Sequence, residues 1–336
     1  MGALIVMLIG LLVIGGIAWL VVWAKRTQEA FVAAWRAVAE ARPGAQFDPG
    51  KAGLLSHRPA SIHVLVGQAF VRVDTYVVST GKSSTTYTRA RAAFPVGAGP
   101  VFRVYQQGML ASIGKALGTQ DVTLGGDPAF DERFMVKCDD PEATGAAWTR
   151  RAKALMKGFS ELRASSDGEL ITLVLFGARK EPAILNGLMD LAGELASYGA
   201  RELAQAAQKG EARYEGGSGR WDVPSRPRLR IGTPRGEVQG TVVGGHPGLR
   251  LELAPERAVP AFRATIGGGE VEGLPPGVLT EGATRLLPAL EGATISSEPS
   301  ALRLWWPTVP GGETVGAGAR FLAELAGGDR SLGAFR

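Results

Sequence analysis

The chain of 336 residues has one cysteine, Cys138, and three histidines. A single thiol excludes an intramolecular disulfide and leaves no cysteine cluster for zinc; its expected place is that of a small, half-buried apolar side chain. The histidines, His57, His63 and His246, are scattered, and none falls in an H-x-x-x-H or H-E-x-x-H spacing that would set two ligands on one helix face. Lysine is absent after Lys209, and arginine outnumbers lysine 28 to 9, which reads as composition rather than chemistry. Charge is absent altogether from Ala3 to Trp23.

That last absence is the most informative. Residues 3–23 are an unbroken run of 21 apolar or glycine residues, with Ala24, Lys25 and Arg26 directly after it. As a helix rising about 1.5 Å per residue, the run matches the roughly 30 Å hydrocarbon core of a bilayer. A cleaved secretory signal would need a basic start, a shorter apolar stretch and an A-x-A-like exit. Met1 and Gly2 carry no side-chain charge, and the residues from Val22 to Arg26 make a poor cleavage site. The expectation is an uncleaved single-pass transmembrane anchor over residues 1–26, with Trp19 and Trp23 at the interface. Lys25, Arg26, Arg36 and Arg42 all follow the run, so the positive-inside rule places the bulk of the chain on the cytoplasmic side of the cell (inner) membrane.

The formal net charge of +5 is unevenly placed, because from Pro227 onward 11 arginines meet 11 carboxylates. The excess lies in the first 226 residues, where a basic stretch beside a lipid surface attracts anionic headgroups. No basic run interleaved with aromatics and no groove-reading motif points to nucleic acid, so none is expected as a partner.

After the anchor, residues 27–44 read as a juxtamembrane amphipathic helix with Phe31, Trp35 and Val38 at helical spacing, ended by Arg42-Pro43-Gly44. Its apolar stripe has three candidate resting places: the lipid surface, a second copy in a homo-oligomer, or the following domain. Residues 61–104 look all-β, an antiparallel meander with a hairpin turn at 79–84. A short helix is expected over 107–117 and a short strand over 121–124. Phe134 and Val136 then alternate as in a half-buried strand, Asp140 can cap a helix, and Pro141 suits its first turn, with that helix running to about Gly158. A second hairpin around Ser165–Gly168 and a long helix from Glu181 to Lys209, striped by Ile184, Leu188, Leu191 and Leu195, complete a first α+β domain over 45–210. Residues 211–225, with Gly216-Gly217-Ser218-Gly219, read as a linker, and 226–336 as a second α+β domain.

The second domain repeats the first. Arg58-Pro59 matches Arg226-Pro227, Pro100 to Arg103 matches Pro260 to Arg263, and Val136 matches Val271. The strand at Leu170 matches that at Leu302, and Leu191 to Ala196 matches Phe321 to Ala326. The offsets shrink from 168 through 160, 135 and 132 to 130. That is the mark of a duplication whose first copy carries insertions, the largest between Tyr105 and Phe130. The predicted fold is therefore α+β: one transmembrane helix, then two related soluble domains, each an antiparallel β-meander with packed helices.

The stretch with Phe130, Phe134, Val136 and Asp139-Asp140-Pro141, led by Gly118 to Asp127, resembles a family of membrane-anchored bacterial proteins of unknown function. In these an F-x-x-x-F-x-V strand precedes an acidic pair and a helix. The resemblance spans about residues 60–200, departs at Gly145 where a large apolar residue is expected, and implies an architecture but no catalytic residues.

Few residues of the sequence stand in a spacing that carries chemistry. Ser218 between glycines lacks the strand before and helix after that a nucleophile elbow needs. Gly267-Gly268-Gly269 lacks a following Lys-Ser/Thr pair, and Glu270 would repel phosphate. The acidic set Asp127, Asp131, Glu132, Asp139, Asp140 and Glu142 is dense enough to suggest Ca²⁺ or Mg²⁺, with Asp127, Asp131, Asp139 and Asp140 as the candidate ligands. It has no 12-residue loop spacing, however, and Arg133 and Lys137 stand ready as ion partners. No catalytic residue, cofactor or metal is expected. The sequence favours a membrane-anchored, non-enzymatic interaction or scaffold protein whose partners are the bilayer and another protein. The alternatives are a membrane-associated enzyme with a carboxylate site near Asp127–Asp140, or a lipid-binding or transport accessory protein.

Overall fold

Period-two alternation of apolar and polar residues builds two antiparallel sheets, and each is closed on one face by amphipathic helices. The computed structural model describes residues 2–52, 57–81, 83–96, 99–107, 121–209, 212–215, 227–243, 248–255, 261–267, 270–275, 278–298, 300–307 and 309–326, without the side chains of 2–14, 17, 52, 57, 121, 242 and 243. The expected helix at 107–117 and most of the glycine-rich 211–225 stretch lie outside the described residues.

In chain order the first part contains α1 (Gly2–Glu40), β1 (Gln46–Asp48), β2 (Lys51–Ala52), β3 (His57–Arg58), β4 (Ser61–Val66), β5 (Ala69–Ser79), β6 (Ser84–Ala93), β7 (Val101–Gln106) and β8 (Asp121–Val122). There follow α2 (Pro128–Asp131), β9 (Phe134–Cys138), α3 (Pro141–Ala147), α4 (Arg150–Lys157), β10 (Arg163–Asp167), β11 (Leu170–Phe176) and α5 (Pro182–Ala196). The second part contains α6 (Ala200–Lys209), β12 (Arg213–Glu215), β13 (Arg228–Thr233), β14 (Gly236–Val243), β15 (Gly248–Leu253), β16 (Phe262–Gly267) and β17 (Glu270–Glu272). It closes with α7 (Glu281–Leu286), a 3₁₀ turn (Leu287–Leu290), β18 (Thr294–Glu298), β19 (Ala301–Trp306) and α8 (Gly312–Ala326).

The first sheet runs β1-β4-β5-β6-β11-β10-β7-β9-β8 and the second β12-β13-β14-β15-β19-β18-β16-β17, while β2 and β3 form a separate ribbon. Apart from β8, the two orders correspond strand for strand. The expected meander is limited to β4-β5-β6 in the first sheet and to β13-β14-β15, preceded by β12, in the second. β7 and β16 do not lie beside the third strand, because the later hairpin, β10–β11 or β18–β19, sits between them.

Register ties the correspondence to residues. Across the helix-facing side of the first sheet, Ile62, Val73, Ala90, Leu173, Ala164 and Val104 stand in one row. The matching row in the second is Leu229, Gly240, Leu251, Leu304, Ile295 and Ala264. Two expected matches shift in this frame. Leu302 pairs with Leu253 as Ile171 pairs with Ala92, so Leu302 stands in the place of Ile171, one residue from Leu170. A one-residue slip would have turned the whole strand inside out. Val271 pairs with Ile266 as Phe134 pairs with Gln106, so Val271 occupies the place of Phe134 rather than Val136.

The closing helices cover the same face of each sheet: α5 crosses β4, β5, β6 and β11, and α8 crosses β13, β14, β15 and β19. Buried Leu185, Leu191 and Leu195 match Val315, Phe321 and Leu325 at the expected spacing. Between β7 and β9 the described chain adds β8 and α2, which have no counterpart between β16 and β17.

Three local expectations change. The helix expected from Glu181 to Lys209 breaks into α5 and α6 at Gly199, whose backbone is left-handed (φ 77°), a conformation that favours glycine. The helix expected to run to Gly158 breaks after Ala147, where buried Trp148 turns the chain and the Thr149 side chain caps α4 by accepting from Ala152 N–H. Arg213–Glu215, inside the expected linker, is a strand paired with β13. With α6 packed on α8, that strand repeats at the start of the second sheet what the end of α1 and β1 do at the start of the first.

The stripe of the juxtamembrane helix rests on the following sheet and helix. Trp35, Val38 and Ala39 are buried, and α1 contacts α5, β1 and β4. The helix is continuous from Gly2 to Glu40. Among the described residues no helix is long and apolar enough to cross a membrane, and the side chains of 2–14 are not among them.

Candidate interaction face

The face of the first sheet turned away from α5 gathers three arginines, one aspartate and two tyrosines on β5 and β6. Alternation places Arg72, Asp74 and Tyr76 on this side of β5, and Tyr87, Arg89 and Arg91 on this side of β6. Register then sets Arg72 opposite Arg91, Asp74 opposite Arg89, and Tyr76 opposite Tyr87. Two arginines directly across a sheet repel. The carboxylate of Asp74, with 2% of its side chain exposed, offsets this by sitting 3.2 Å from Arg72, 2.9 Å from Arg89 and 3.0 Å from Arg91. Arg89 grips it with both Nε and Nη2, the two-pronged geometry that fixes direction as well as charge.

One carboxylate thus lies among three guanidinium groups. Burial holds the Arg91 guanidinium below its ordinary range, with the charges of Arg89 and Arg72 acting in the same sense and Asp74 opposing them. Beside the cluster Tyr76 and Tyr87 stack with ring centroids 5.3 Å apart, and Phe176 meets Tyr87 edge-on at 5.9 Å. Arg89 lies over the Tyr76 ring at 4.7 Å. Burial raises the Tyr76 phenol, against the opposing charge of Arg89. Arg103 on β7 and Arg163 on β10 extend the same face; both are exposed, and neither has an ion pair recorded among the described residues. Forked cations and ring faces without a nucleophile and base in contact can bind anions and flat or apolar groups.

The residues singled out by sequence lie elsewhere and do different work. Asp127 caps α2 by accepting from Phe130 N–H at 3.1 Å and pairs with Lys157 at 2.6 Å, a hydrogen bond that holds its carboxyl below the ordinary range. Asp140 caps α3 by accepting from Ala143 N–H at 3.0 Å. Asp131 lies within α2, and Asp139 is exposed between β9 and α3. Among the described residues no group of three or more His, Cys, Asp or Glu is arranged to hold a metal ion. Cys138 is buried on β9, and His63 Nε2 is 3.0 Å from Ser61 Oγ. Ser218 and His246 lie outside the described residues.

Comparison of the chain with protein-family models, curated proteins and solved structures finds no match. The face is therefore read from its chemistry alone. Its signal was present in sequence as two alternating triplets, Arg72-x-Asp74-x-Tyr76 and Tyr87-x-Arg89-x-Arg91. Only the pairing of β5 with β6 makes them one cluster.

Proposed function

We propose that this chain is a membrane-anchored, non-enzymatic interaction protein: one apolar helix in the bilayer carries two duplicated α+β units on the cytoplasmic side. The observation that carries the reading is the continuity of α1. Its last turns are core, with Trp35 fully buried, whereas Trp19, Leu20, Val21, Val22 and Trp23 each expose half or more of their surface. A contiguous apolar helix surface with no protein against it needs lipid or another chain to cover it, and the charge-free run continues to Ala3. Duplication is supported by the shared strand order and by registers that match residue by residue. Exposed Arg103 and Arg163, with the tyrosine rings beside the Asp74 cluster, give the first unit a face suited to a partner with exposed anionic groups.

The test is extraction. The full chain should stay with membranes through alkaline carbonate and leave them only in detergent, and removal of residues 1–26 should release a folded remainder. A full chain that is soluble and monodisperse without detergent would overturn the anchor. Protease added to intact spheroplasts should leave the units uncut; digestion from outside would reverse the orientation.

A further inference from the structure

The β5–β6 hairpin runs past its neighbours. β4 pairs with β5 only as far as Asp74, and β11 pairs with β6 only as far as Tyr87, after which Gly177 N–H donates to Thr86 O. Beyond these points the strands pair with each other alone, out to Ser79 opposite Ser84. This arm exposes apolar side chains, with Val77 at 55% and Val78 at 42% exposure, and Phe176 at 54% beside its base. Tyr76, Tyr87, Arg89 and Arg91 line its root.

The direction of the arm can be fixed against α1. Trp35 Nε1–H donates to the carbonyl of Arg179 at 2.8 Å, Arg179 N–H donates to Thr88 Oγ1 at 2.8 Å, and Thr88 stands opposite Thr75. Trp35 is thus level with the root of the arm, ahead of the start of α5. Arg42 instead bonds Asn186 and Asp190, further along α5. The far end of α5 reaches the opposite end of the sheet, where Gly193 packs on Val66 and Ser197 Oγ accepts from Gln68 N–H. Followed backwards from Arg42 through Trp35, α1 therefore heads out of the same end of the sheet as the arm. From Trp35 to Trp23 the helix rises about 18 Å. From Thr75 to Ser79 the arm extends about 13 Å.

We propose that the first unit stands end-on to the bilayer and that the tip of the β5–β6 arm enters the headgroup layer beside α1, its occupant being the phospholipid surface. This rests on the membrane-anchor reading of α1. The sequence joining the two strands, Thr80-Gly81-Lys82-Ser83, is polar, and behind it come exposed Val77 and Val78, then tyrosine rings, then arginines; hydroxyls and a cation suit a headgroup layer, and valine and tyrosine side chains suit the interface. Tethering by α1 supplies the local concentration that so small an apolar surface needs.

The test uses the full chain in liposomes of phosphatidylcholine with and without phosphatidylglycerol. In a Cys138→Ser background, an environment-sensitive dye is placed singly by Val78→Cys, by Trp23→Cys and by Arg235→Cys, the last in the exposed β13–β14 turn of the second unit. Quenching by spin-labelled lipid should be strong at 23 and at 78 and weak at 235, and Arg163→Gln with Arg103→Gln should weaken it at 78 in anionic vesicles only. Quenching at 23 with none at 78 overturns the arm contact and leaves the anchor standing. Absence of quenching at both positions overturns the anchor itself. Protection of the position 78 label from water-soluble quencher without lipid quenching would assign the arm to a protein partner and equally overturn the proposal.

Discussion

The two units share a strand order but not a surface. On the face away from its closing helix the first unit gathers Arg72, Arg89 and Arg91 around one carboxylate, Asp74. The same face of the second unit is a charge-balanced lattice, in which Arg230 pairs with Glu215 and Glu237, and Arg303 with Glu252 and Glu298. Asp74 is matched in the second unit by Thr241 and Arg72 by Gln239, while Arg89 keeps its charge as Arg250. The hairpins differ too: the spacing between matched residues falls from 167 at Val73 and Gly240 to 161 at Ala90 and Leu251, so six more residues lie in the first hairpin. Among the described residues, the arginine cluster around one carboxylate and the longer arm belong to the unit joined to α1.

Inside, the difference is one of exchanged volumes. Val73 and Ala90 are neighbours in the first core, Gly240 and Leu251 in the second. A side chain on Gly240 would meet Leu229 at 2.9 Å and Leu251 at 3.1 Å. Leu175 and Leu188 are likewise matched by Trp306 and Gly318, and a Cβ on Gly318 would lie 2.6 Å from the Trp306 ring. A core tolerates such swaps when total volume and pattern are kept. Surfaces carry no such constraint, so there the units have diverged furthest.

The comparison breaks most sharply at Asp74. Asp74→Ala removes the buried carboxylate that all three guanidinium groups contact and should cost about 3–5 kcal/mol. Its counterpart Thr241→Ala should cost under about 0.5 kcal/mol; equal losses in chemical denaturation would refute the contrast between the faces. Next comes packing. Gly318→Leu alone should destabilise by about 1–3 kcal/mol through overpacking, and adding Trp306→Leu, which restores the pairing of the first unit, should recover most of it. No recovery in the double variant would show that the two cores do not share this contact.

Two tyrosines sharpen the junction. Burial pushes the phenols of Tyr198 and Tyr214 up to about 12 from 10.0. Because the folded value is the raised one, their contribution is complete below pH 10 and is lost as pH rises toward 12. Thermal melts between these limits should fall, with phenolate absorbance appearing late for both rings. Tyr214 occupies the position of Phe47, and its hydroxyl donates to Gln68 Oε1 at 2.9 Å, tying β12 to the β4–β5 turn of the first unit. Tyr214→Phe should therefore cost only about 1 kcal/mol at neutral pH and reduce the alkaline loss. An unchanged alkaline slope would assign that loss to Tyr198.

Much of the architecture was legible in sequence because it rests on local patterns. Alternation marked the β5–β6 and β10–β11 hairpins, Asp140-Pro141 marked the start of α3, and the matched closing helices were visible at a constant spacing. Matches across strands were less secure: Leu302 was displaced by one residue and Val271 by two, since apolar identity alone does not say which face a residue occupies. Pairing could not be read at all where the partner is distant in sequence. Nothing local tells β7 to avoid β6, or places Arg213–Glu215 in a sheet rather than a linker. The candidate site divides in the same way. The acidic residues near Asp127 drew notice through their density, yet Asp127 and Asp140 serve as helix caps, whereas the arginines around Asp74 lie up to 19 positions apart.

The sequence by itself determined the charge-free N-terminal run, the α+β alternation and the repeated order of elements, because each follows from the periodicity of side chains along a helix or strand. The tertiary structure decided what those elements meet. It set Arg72 against Arg91 with Asp74 between them, buried Trp35 against α5 and the first sheet, and aimed α1 and the β5–β6 arm out of one end of that sheet. These are relations between residues far apart in the chain, fixed by register and by the packing of α1 and α5, and no local propensity encodes them.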